Sequence, residues 1–66
     1  MTVTLERVVV PAGSTIGYGC GIDEDGCRVS FVGDHRPLRH LGEALAGATE
    51  PITVEVEDWQ IVASRG

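Results

Sequence analysis

Cys20, Cys27, His35 and His40 are the residues of this chain whose types could hold a metal. They spell C-x6-C-x7-H-x4-H, and a tetrahedral zinc site accepts such donors. Zinc knuckles bring their cysteines close, with two to four residues between them. Here the acidic stretch GIDEDG separates the two thiols. Asp25-Gly26 inside it is a strong two-residue hairpin signal, because a type I′ turn needs positive φ at both central positions. With that loop, Ile22 faces Val29 and Cys20 faces Phe31, apolar against apolar. A three-residue loop would set Ile22 against Arg28 and Cys20 against Ser30. The apolar match selects the first register, since a one-residue slip exchanges the faces. The cysteines are then roughly 13 Å apart along the ladder. That is too far for one ion or for a disulfide. The expectation is two small core-side residues, with no metal and no cofactor.

Asp34-His35 beside His40 supplies acid and base types, with Ser14, Thr15 and Ser30 as the nearby hydroxyls. Nothing in their spacing activates a nucleophile, so no catalytic residue is assigned and the chain is not read as an enzyme. Asp23, Glu24 and Asp25 resemble part of a calcium loop but lack its remaining ligands, and read as a charged turn tip. The groups left over suit binding. Gly17, Gly19 and Gly21 leave one side of a strand bare, with Arg28 and Ser30 predicted beside them and Arg36 and Arg39 at the rim. Arginine there could fork to a carboxylate or a phosphate. Tyr18 and Trp59, the lone tryptophan, complete the candidate partner-binding set.

These residues need elements to hold them. Residues 3–10 are rich in β-branched side chains and read as a strand, ended by PAGS. Thr15 to Ile22 alternates, and a third strand runs from Cys27 to about Val32. After Gly33 the period changes: Leu38, Leu41 and Leu45 recur at three and four residues, predicting a short helix near 37–46. Pro37 suits its first turn and Gly47 its end. Residues 52–63 return to strand, with a phase slip at Glu57-Asp58. Either a hairpin pairing Val56 with Trp59 and Val54 with Ile61, or one bent strand, absorbs that slip.

The order β-β-β-α-β-β in one domain over 1–66 predicts a mainly β fold, a small five-stranded barrel. The stretch GYGCGIDEDGCRVSFVGDH and, more weakly, ITVEVEDWQIV resemble the OB-fold and S1-like small β-barrels, with an SH3-like barrel as the neighbouring form. Gly17, Tyr18, Gly19 and Phe31 also echo the cold-shock domains, without their lysine and their other stacking rings. The resemblance implies a topology, and it makes single-stranded nucleic-acid binding through Tyr18, Phe31, Arg28, Arg36 and Arg39 the alternative function.

Composition weighs against that alternative. Net charge is −5, which opposes phosphate backbones. Hydrophobic content of 42% excludes a disordered tail, yet no run approaches the ~20 apolar residues of a membrane span. The opening MTVTLERVVV carries Glu6 and Arg7 within its apolar stretch, unlike a signal peptide. The expected location is the cytoplasm, where thiols stay reduced. A domain this small buries only about 60% of its unfolded surface and often leans on a partner. The sequence thus predicts a non-catalytic binding module that meets a protein partner, or a second copy, through an exposed strand face or edge.

Overall fold

The computed structural model describes residues 1–56 and 59–65. Three strands come first: β1 (Thr2–Val9), β2 (Ile16–Asp23) and β3 (Arg28–Asp34). Helix α1 (His35–Gly47) follows without a loop, then β4 (Thr53–Glu55) and β5 (Gln60–Arg65). The strands form one antiparallel sheet in the order β4-β1-β2-β3-β5.

The expected barrel does not form. Closing it requires a ladder between the outer strands, and β4 and β5 share none among the described residues. The reason lies in the chain direction. β4 is antiparallel to β1 and β5 to β3, so both run the same way. They follow one another in the chain across a link of four residues, too short for the crossover that two side-by-side parallel strands need. The hairpin pairing of Val54 with Ile61 is excluded, since β4 ladders with β1 and β5 with β3. The Trp59 amide donates to the Val56 carbonyl at 3.3 Å. The proposed tip, Glu57-Asp58, lies outside the described residues. The link from Glu55 to Gln60 reaches ~17 Å at most, less than the ~19 Å between outer strands of a flat five-stranded sheet. The sheet must therefore curl, and its inner side holds the core.

The β2–β3 register is the one the apolar match rejected. Cys20 pairs with Ser30 and Ile22 with Arg28, while Gly19 pairs with Phe31 and Gly21 with Val29. The loop has three residues, and Asp23 builds it. Its amide donates to the Cys27 carbonyl at 2.9 Å, and its carbonyl accepts the Gly26 amide at 3.1 Å. Its Oδ1 accepts the amides of Asp25 at 2.9 Å and Cys27 at 2.8 Å. Gly26 sits at φ 84°, the left-handed position that ends such a loop. Asp-Gly is thus the second half of a three-residue turn, and the carboxylate of Asp23 tips the choice.

This register turns the glycines inward. Gly17, Gly19 and Gly21 are buried, and large side chains occupy the room they leave. A Cβ on Gly19 would lie 2.7 Å from Phe31 Cζ, and one on Gly17 would lie 2.8 Å from Val10 Cγ2. At Gly21 it would collide with the carbonyl oxygen of Thr4, which is backbone and cannot step aside. Phe31, Val3, Val29 and Leu38 are fully buried, with Leu5 and Val56 nearly so. Burying a side chain such as Phe31 contributes about 1.5–3 kcal/mol.

Helix α1 lies over β1, β2 and β3 on this inner side. It starts two residues ahead of expectation, at His35, whose amide donates to the Thr15 carbonyl at 3.2 Å. The N-cap residue Asp34 makes no side-chain capping hydrogen bond. Gly47 remains helical, and the end comes at Ala48 in extended geometry rather than on a left-handed glycine. Such a helix is held by packing: Leu38 is buried, and Leu41 and Leu45 rest against the core. No described helix is long and apolar enough to cross a membrane.

Candidate functional site

The outer side of the sheet carries no helix. β2 presents Ile16, Tyr18, Cys20 and Ile22 there, alternating with the buried glycines. β3 presents Arg28, Ser30, Val32 and Asp34, their ladder partners. Two irregularities enlarge this face. In β1 the register shifts between Leu5 and Arg7, so Leu5 opposes buried Gly21 while Arg7 opposes Cys20. In β5, Ile61 opposes Phe31 and Ala63 opposes Ser30, and Val62 stands between them in the shift. Each bulge moves one residue out of strict alternation.

The result is an open apolar surface. Tyr18 is 48% exposed and Val62 62% exposed. Together with Cys20, Ser30, Val32 and Arg7 they line a shallow depression of about 320 Å³. Arg28 stands one ladder step from Ser30 along β3, and is exposed. Neither Arg7 nor Arg28 has a carboxylate partner within ion-pair distance among the described residues. At the β4 edge, Glu55 is already engaged. It accepts from the Thr2 hydroxyl, and the Met1 ammonium lies 3.2 Å away. Those two donors, the hydroxyl first, hold its carboxyl below the usual glutamate range.

The sequence-derived candidates divide accordingly. Tyr18, Arg28 and Ser30 come together on the open face, although the glycine shelf expected beside the latter two is buried. Arg36 and Arg39 are exposed on α1, on the opposite side of the sheet, and do not rim that face. Phe31 is fully buried and offers no ring to a base. Trp59 stacks on Phe31, with ring centroids 4.9 Å apart and planes 15° from parallel. It also covers Gly33, where a Cβ would fall 2.6 Å from its Cδ1. Its half-exposed remainder lines a second groove with Ile16, Asp34, Pro37, Glu55 and Gln60. Arg7 and Val62 were not expected; each reaches the face through a bulge, which strict alternation hides.

Both cysteines are free and half-buried. Cys20 belongs to the outer face rather than the core, and Cys27 sits at the hairpin bend, so the inward placement expected for both is corrected. Among the described residues no group of three or more His, Cys, Asp and Glu side chains converges on a point. His35 is occupied locally, its Nδ1 lying 3.1 Å from the Thr15 carbonyl. Ser14 Oγ accepts the Ile16 amide at 3.2 Å and serves the turn. No family model, no curated protein and no solved structure matches this chain.

Proposed function

We propose that the chain is a non-catalytic cytoplasmic binding module whose uncovered sheet face receives a protein partner or a second copy of itself. One observation carries this reading: the inner face is packed by α1, Val56 and Trp59, whereas Tyr18 and Val62 on the outer face stay exposed among the described residues. Contiguous exposed apolar surface rimmed by polar groups characterises interaction sites. A ring that combines apolar area with a hydroxyl, as Tyr18 does, is a usual anchor.

Multi-angle light scattering across concentration tests the self-association branch. Capture from lysate, repeated with Tyr18→Thr/Val62→Thr, tests the partner branch. A concentration-dependent mass, or a captured protein lost with the double variant, supports the reading. A strict monomer with no variant-sensitive partner overturns it. Titration with labelled single-stranded DNA and RNA at low salt addresses the nucleic-acid alternative. Of that alternative's residues the face retains one ring, Tyr18, and one arginine, Arg28, fewer than the stacking platforms of single-strand binders present.

A further inference from the structure

We infer that the occupant of the open face is an extended acidic segment of a partner protein, placing an apolar side chain in the depression and carboxylates on Arg7 and Arg28. The inference rests on the proposed face and assigns its ligand class. Charge is the argument. The chain as a whole is acidic, with ten Asp and Glu against five Arg. Yet among the described residues the depression is lined by no carboxylate, and Arg7 is the one charged residue of that lining. Arg28 adds a second cation nearby, and neither is paired among the described residues. Glu55, the carboxylate of the neighbouring edge, is taken by Thr2 and the terminal ammonium. The depression is therefore a locally basic spot on an acidic molecule, with Asp34 beside Ile16 and Glu55 beside Thr2 at the margins of the face.

Two consequences narrow the occupant. A second copy brings a net charge of −5 to a molecule of −5, so whole-molecule repulsion opposes self-pairing. An acidic peptide escapes most of that repulsion, being small and engaging the two arginines locally. Spacing selects an extended form. Arg7 is on β1 opposite Cys20, and Arg28 is on β3 opposite Ile22. Strand and residue spacings put them roughly 12 Å apart, a distance an extended chain covers in about four residues. Arginine binds carboxylates through paired N–H donors, which rewards placement at that spacing. Tyr18, Val32 and Val62 supply the apolar seat that gives such a segment its anchor.

Selection from a random linear peptide library displayed on phage, against the whole chain, tests this. Enriched peptides should carry two or more Asp or Glu beside one large apolar residue. Affinity for a selected peptide should fall about tenfold or more for Arg7→Glu/Arg28→Glu, and weaken with salt. Replacing the peptide's acids by lysine should restore binding to that charge-reversed variant, which excludes misfolding as the cause. Neutral or basic peptides that still depend on Tyr18 and Val62 would overturn the assignment and leave the proposed face standing. Binders indifferent to Tyr18→Thr/Val62→Thr would overturn both. A library that yields no binder, with light scattering showing a dimer, would hand the face to a second copy and end the inference.

Discussion

The two sides of this sheet solve opposite problems with the same strand. Inward, β2 offers Gly17, Gly19 and Gly21, and the bulk comes from Phe31, Val3, Val10 and Leu38 on other elements. Outward, β2 offers Ile16, Tyr18, Cys20 and Ile22, and Tyr18 stays exposed among the described residues. A strand normally points its apolar residues at the core. Here the large side chains of β2 face out, and the core is built by neighbours leaning over bare backbone. Apolar alternation alone therefore names the wrong face as buried. What restores the right answer is volume: a ring as large as Phe31 fits over glycine and over nothing larger.

Breaking the inner side should cost most. Phe31→Ala removes the largest fully buried side chain and the surface on which Trp59 stacks. The expected loss is about 3–5 kcal/mol, which would leave so small a domain largely unfolded in a urea titration. Gly21→Ala should follow at about 3 kcal/mol, because the added methyl meets Thr4 backbone; Gly19→Ala should cost less, because it meets the Phe31 ring. Their order in urea midpoints tests the glycine argument directly. Equal, small losses at both sites would mean that the glycines do not face the core.

The same substitution on the helix should reverse sign. At Gly42 a Cβ would lie 3.6 Å from Val8 Cγ1, an ordinary contact. Gly42→Ala should stabilise by about 1 kcal/mol, from helix propensity, and raise the midpoint. A loss there would show α1 packed closer to β1 than its geometry allows.

The smallest effect comes from the β4 edge. Glu55 has its carboxyl held low by the Thr2 hydroxyl and the terminal ammonium. A lowered folded value means that its contribution is present above the ordinary glutamate range and is lost as pH falls through the folded value. Thr2→Val should flatten the acid limb of stability against pH, with little change near neutrality. An unchanged acid limb would place the contribution elsewhere.

The order of elements along the chain and the helix were readable because each rests on local period: alternation at 16–22, and leucines at three and four residues from 38 to 45. Register was not, because Asp-Gly fits two turn types and the deciding hydrogen bonds come from the side chain of Asp23. The open sheet was not, because closure depends on which edge each half of residues 52–65 joins, a long-range choice with no local signal. Half of the face was visible in Tyr18, Arg28 and Ser30. Arg7 and Val62 were hidden behind bulges. The first leaves a trace: Val3 and Leu5 pack inward on odd numbers while Val8 and Val10 do so on even ones.

The most direct measurement is the urea midpoint of Tyr18→Thr/Val62→Thr, read beside binding of a selected peptide. If the outer side has no structural duty, stability should move by less than about 1 kcal/mol while binding is lost. A loss as large as that of Phe31→Ala would contradict the account, because it would place those two side chains in the core.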